Sequence, residues 1–146
     1  MKTFATLSLL IFTLVFTSCD ETKRVIDVAG SVQLTGSYTV TALNGKKISG
    51  KTTPTLSLSA IDKSIQGNTG CNSVFGSYTL DLYAISFNDL AVTAKDCPED
   101  NKMSVEREYL DALNNTGSYA LENNILTFYS KTDRSVLLKA TKDQKN

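Results

Sequence analysis

Carboxylates, cysteines and a missing histidine delimit the chemistry open to this chain. Asp96, Glu99, Asp100, Glu106, Glu108 and Asp111 crowd into one short stretch. Paired carboxylates can act as general acid and base. The same residues also suit a solvated helix face, with Glu99 and Asp100 favoured by the positive end of the helix dipole. That second reading is adopted, and no catalytic residue is expected. The 146 residues contain no histidine. This removes the commonest general base and metal ligand, and with them every Ser/His or Cys/His nucleophile pair. Zinc would have to rely on Cys71, Cys97 and carboxylates, so neither a metal nor a cofactor is expected. The third cysteine, Cys19, ends an apolar segment.

That segment, from Phe4 to Phe16, is interrupted only by Thr6, Ser8 and Thr13 and follows Lys2. Its length suits the core of an export signal, whereas a spanning helix needs about 20 apolar residues. An ordinary secretory signal with an incidental Cys19 is one reading. The segment resembles a bacterial lipoprotein signal more closely, because Thr17 and Ser18 are small before Cys19; Phe16 stands where that pattern prefers Leu. The resemblance implies a leader over 1–18 and a lipid-anchored Cys19 at the mature N-terminus. It also implies export to the bacterial cell envelope, with an outer-membrane anchor and a periplasmic or surface face. Two acyl chains hold a protein stably where one holds it only marginally. A lipidated Cys19 leaves Cys71 and Cys97 as an even pair in an oxidising compartment, which favours a disulfide. The alternative is a reactive thiol. It needs an electropositive neighbourhood, and only Lys95 is close in sequence.

Without residues 1–18 the chain has 128 residues, enough for one domain with a real core. Its 15 Lys+Arg less Lys2 leave 14 against 15 Asp+Glu. Such a balance, with lysines scattered apart from Lys46-Lys47, excludes a basic nucleic-acid-binding face. A monomer is expected.

Most of the chain alternates with period two. Tyr38, Val40 and Ala42 alternate with Ser37, Thr39 and Thr41 before the turn pair Asn44-Gly45. Leu56, Leu58 and Ala60 follow, then a turn at 62–64 and a return strand from Ile65. Further strands are expected at 75–79, 82–87, 117–121, 125–129 and 135–140. Between Glu99 and Asn114 the period changes: Val105, Tyr109 and Leu113 recur every four residues, with Met103 and Leu110 on a neighbouring line. Pro98 suits the helix start, and Asn114-Asn115 with Gly117 suits its stop. The expected architecture is mostly β (α+β). It is an antiparallel half-open barrel or strongly curved sheet of seven to eight strands, with one amphipathic helix packed on it or closing its mouth. The expected organisation is a leader over 1–18, a membrane tether over 19–33, a domain over 34–141 and a polar tail over 142–146.

The block Gly67-Asn68-Thr69-Gly70-Cys71-Asn72-Ser73-Val74-Phe75-Gly76-Ser77-Tyr78 resembles the signature of the META domain (HslJ-like) family, with its Gly-Cys-Asn core and Gly-x-Tyr ending. Leu43-Asn44-Gly45 and Leu90-Ala91-Val92-Thr93 before Cys97 match in order, as do Glu106 with Tyr109-Leu110 and Leu113, and Tyr119 with Ile125-Leu126. Tyr38 stands where the family often has Trp. The resemblance covers residues 34–140. It implies a non-catalytic envelope lipoprotein serving envelope maintenance or stress tolerance and binding a protein partner or an apolar ligand. A calycin-like carrier of small hydrophobic ligands, echoed by Leu34-Thr35-Gly36-Ser37-Tyr38, is the alternative; a sealed eight-stranded barrel with a large internal cavity would favour it. Gly67, Asn68, Gly70, Cys71, Asn72, Gly76 and Tyr78 read as a structural cornerstone. The glycines allow close backbone approach, and the Asn side chains bond neighbouring backbone groups.

Overall fold

Period-two alternation in the chain becomes an inside and an outside of a barrel wall. A computed structural model describes residues 30–48, 50, 53–97 and 100–144, the side chains of Asp100 and Asn101 excepted. The leader 1–18, Cys19, the tether up to residue 29, Pro98, Glu99 and the last two residues lie outside the described residues. A helical turn, α1, occupies residues 30–34. It is followed by β1 (Gly36–Leu43), β2 (Lys46–Lys47), β3 (Thr55–Leu58), β4 (Ser64–Asn68), β5 (Ser73–Asp81) and β6 (Ala84–Val92). Helix α2 (Asp100–Asn115) then leads into β7 (Thr116–Glu122), β8 (Ile125–Ser130) and β9 (Val136–Lys142).

All the strand pairings are antiparallel, and β1 pairs with both β3 and β9, so eight strands close into a ring with β2 as a short arm beside β1. Sequence alternation left a half-open barrel and a curved sheet as options. The β1–β9 ladder, running from Tyr38 opposite Lys142 to Leu43 opposite Leu138, decides for closure. Closure leaves no long unpaired edge to template association.

An eight-stranded barrel is just wide enough for side chains to fill it or for one small ligand. Here side chains fill it. Tyr38 and Val40 from β1, Leu56 and Leu58 from β3, Ile65 from β4 and Tyr78 from β5 are each at most 2 % exposed. Phe87 meets Phe128 edge to face at 5.2 Å between ring centroids, a favoured aromatic geometry. Desolvation on burial, with Tyr78 nearby, raises the Tyr38 hydroxyl to about 12, while the hydroxyl donates to the Leu34 carbonyl at 2.8 Å. The large internal cavity that a carrier needs is occupied by these rings.

Both mouths are closed by helix. At one end, α2 runs from the end of β6 to the start of β7 and buries Tyr109, Ala112 and Leu113. At the other, α1 buries Leu34 and Ser31, and the Thr35 hydroxyl accepts the Ala60 amide at 3.0 Å. The described part of the segment expected as tether, residues 30–33, is helical. Strand β6 also runs further than 82–87: Leu82-Tyr83 form a turn, and Asp89 adopts φ 54° where the β5 register shifts between Phe75 and Ser77. That bulge breaks the alternation, so the continuation to Val92 is invisible as a period.

Candidate functional site

The Gly-Cys-Asn block is the β4–β5 turn at the α2 end of the barrel. Gly70, at φ +96°, sits at its tip in a conformation that a side chain would strain. The Asn68 carboxamide oxygen accepts the Gly70 amide at 2.8 Å. The Thr69 hydroxyl accepts the Cys71 and Asn72 amides at 3.3 and 2.9 Å. The turn's backbone donors are thus held by its own side chains.

A buried polar network ties this turn to two other segments. Glu106 faces inward from α2 and is 9 % exposed. Its carboxylate accepts the Thr69 hydroxyl at 2.5 Å and the Asn72 amide group at 2.9 and 3.2 Å. The Asn72 carboxamide oxygen accepts the Thr93 hydroxyl at 3.0 Å and the Lys95 amide at 2.8 Å. Among the described residues, no buried side-chain nitrogen or oxygen lacks a partner. Burying polar groups costs free energy unless each is hydrogen-bonded, and here every one is.

The Cys71–Cys97 disulfide fastens the same turn to the segment that enters α2, with a Cα–Cα separation of 6.2 Å across 26 residues. The pairing read from cysteine arithmetic is therefore formed, and the reactive-thiol alternative is not. Gly67 lies where β4 passes under α2: a Cβ there would sit 2.9 Å from the Tyr109 hydroxyl oxygen and 3.2 Å from Val74 Cγ1. Gly76 lies at the β5–β6 bulge against Leu90, and Tyr78 points into the barrel and donates to the Ser59 carbonyl at 3.0 Å. Reduction, or replacement of both cysteines by alanine, is expected to lower unfolding stability by about 3.5 kcal/mol on the loop-closure argument. Urea unfolding with and without reductant measures it; an unchanged midpoint would show that the buried network holds the loop alone.

Of the carboxylates that could have formed an acid–base pair, Glu106 is enclosed by the turn, whereas Asp96 and Asp111 are exposed. Glu106 and Glu108, two residues apart on a helix, do not share a face. Among the described residues, no group of three His, Cys, Asp or Glu side chains could hold a metal ion. Thr69, Thr93 and the inward role of Glu106 escaped the sequence reading. The four-residue spacing of Glu106 from the helix's apolar line at Leu110 is the signal that could have found it.

A second feature lies on the outer wall. An open groove of about 490 Å³ crosses β1, β3, β4 and β5, lined mainly by Ser37, Ser57, Gln66, Asn68, Phe75 and Asp143. Phe75 is 47 % exposed, an apolar platform in an otherwise polar trough.

A sealed barrel capped by a helix and locked by a Gly-Cys-Asn turn defines a class of small β domain. The META domain matches residues 32–143, and the chain belongs to that family. A protein from Burkholderia xenovorans, solved by NMR, is 21 % identical with a TM-score of 0.64, over 81 % of this chain and 89 % of that one. A DUF4847 family protein from Bacteroides vulgatus, solved by crystallography, is 13 % identical with a TM-score of 0.59, over 81 % of this chain and 99 % of the other. At these identities the likeness is one of fold. No curated protein matches the chain.

Proposed function

We propose that this protein is an exported, lipid-anchored envelope protein whose META barrel is a non-catalytic module for binding a protein partner. The observation that carries the reading is the packed barrel interior. With Tyr38, Tyr78, Tyr109 and Phe128 fully buried inside, a partner must be met on the outer wall, where the polar groove offers Phe75. Aromatic residues with one face exposed are favoured anchors of protein interfaces. The anchor rests on the segment ending at Cys19, and the role is envelope maintenance or stress tolerance. Glu106 supports a non-catalytic reading because its hydrogen-bonding capacity is spent on Thr69 and Asn72.

Native mass spectrometry of the full chain gently extracted from its own membranes tests this. The expected masses are those of an acylated Cys19 chain with a bound protein, lost on Phe75→Ala. An acylated chain with nothing bound would remove the partner, and an unacylated chain would remove the anchor.

A further inference from the structure

Five of the seven exposed large apolar side chains among the described residues gather at one end; the other two are Phe75 on the barrel wall and Met103 on α2. Val32, Ile61, Leu82, Tyr83 and Ile125 are 62, 99, 43, 77 and 43 % exposed, and all five sit at the barrel end plugged by α1. Val32 is on α1 itself. Ile61 is in the β3–β4 turn, Leu82 and Tyr83 form the β5–β6 turn, and Ile125 opens β8 after the β7–β8 turn. Two of the three hairpin tips at that end thus present apolar residues, and at the third Ile125 directly follows the Asn123-Asn124 turn. At the opposite end the described hairpin tips are polar: Asn44-Gly45, the Thr69–Asn72 turn and the run from Lys131 to Ser135. Turn tips ordinarily take Gly, Asn, Asp or Ser for backbone reasons. Leu82 occupies its turn at φ 57°, a conformation costly for a residue of its kind. Burial does not account for Ile61 and Tyr83 at these tips, since they are 99 and 77 % exposed.

The chain outside the described residues reaches the barrel at this same end. Residue 30 is the first described residue of α1, and Cys19 lies eleven residues earlier, a distance of at most about 40 Å even when fully extended. An anchor at Cys19 therefore joins the barrel at this end and keeps it within that reach of the bilayer. Such attachment makes a second, weak contact effectively intramolecular. Tyrosine and branched aliphatic side chains suit the boundary between headgroups and acyl chains. Charge does not drive the contact, because Lys63 and Lys142 at this end are offset in number by Asp62, Glu122 and Asp143.

From this asymmetry we infer that the α1 end of the barrel docks on the lipid surface that anchors the chain, inserting Tyr83, Ile61, Leu82, Ile125 and Val32 at the headgroup level. The barrel stands upright, with the α2 end pointing away from the membrane and the Phe75 groove on its flank. The inference rests on the lipid-anchor reading of Cys19 and adds an orientation to it.

The chain has no tryptophan, so a single introduced indole reports its own surroundings. The full acylated chain, carrying Tyr83→Trp, Ile61→Trp or Lys46→Trp, is reconstituted in vesicles of phosphatidylethanolamine and phosphatidylglycerol with brominated acyl chains. Quenching at positions 83 and 61 is expected to exceed that at 46 by at least about twofold and to resist added salt, as interfacial apolar insertion requires. Equal quenching at all three positions, in protein that floats with the vesicles, overturns the docking and leaves the anchor standing. Failure to float overturns both. Shielding at 83 that grows with protein density without lipid quenching identifies a second copy as the occupant and overturns the proposal.

Discussion

Replacing Asn72 with alanine should lower stability by about 3–4 kcal/mol, well beyond the loss of a single hydrogen bond, which is worth about 1 kcal/mol. The side chain bridges three segments. Its amide group donates to Glu106, and its oxygen accepts the Thr93 hydroxyl and the Lys95 amide. Removing it leaves Glu106, a buried carboxylate, with the Thr69 hydroxyl alone. Loss of a partner from a buried charged group costs more than loss from a neutral one. Glu106→Ala strips the acceptor from both Thr69 and Asn72 and should cost a similar amount. The double variant should cost clearly less than the sum, because both changes dismantle one network. Asn72→Asp sharpens the test. It removes the amide donor to Glu106 and sets a second carboxylate against it, so it should destabilise at least as much as Asn72→Ala. Urea unfolding measures all of this. An Asn72→Ala midpoint equal to that of the parent would mean that the Gly-Cys-Asn turn is not a structural cornerstone and would reopen it as a ligand site.

The network also marks where sequence reading stopped. Most strands were legible because an outward polar residue follows each inward apolar one, as in Tyr38-Thr39-Val40 and Leu56-Ser57-Leu58. The helix was legible because Tyr109 and Leu113 recur on one face, both fully buried. Glu106 lies on that same buried face, and an apolar pattern passes over a carboxylate. Spacing alone could point it inward, but its partners come from one turn, 34 and 37 residues away in sequence. Barrel closure was hidden for a related reason. The β1–β9 ladder joins residues about a hundred positions apart, and edge-to-edge pairing leaves no trace in either strand's alternation. The Leu90–Val92 continuation was masked by the bulge at Asp89. The apolar hairpin tips stood in the open as residue types. Their gathering at one end became visible only when the strand order placed those turns together.

Tyr109 is the second place where a large effect is expected, and it separates packing from hydrogen bonding at the α2 mouth. The ring is fully buried, and desolvation raises its hydroxyl well above the ordinary tyrosine range. The hydroxyl donates to the Thr55 carbonyl at 3.1 Å, at the start of β3. Tyr109→Ala empties the mouth and should cost about 4 kcal/mol, as for other buried aromatics. Tyr109→Phe keeps the ring and should cost about 1 kcal/mol. Gly67→Ala probes the same contact from the barrel wall: the new methyl would press on the Tyr109 hydroxyl at 2.9 Å and on the Thr55 carbonyl oxygen. A cost of about 2–3 kcal/mol is expected from overpacking. Combining Gly67→Ala with Tyr109→Phe should recover part of that cost, because the phenolic oxygen is one of the two obstructing atoms. It should not recover all, since the Thr55 carbonyl belongs to the backbone and cannot withdraw without breaking the β3–β4 ladder that pairs Thr55 with Asn68. Thermal unfolding of the four chains measures the coupling. Strict additivity would place the Gly67 constraint in the backbone alone, and full rescue would place it in the tyrosine hydroxyl.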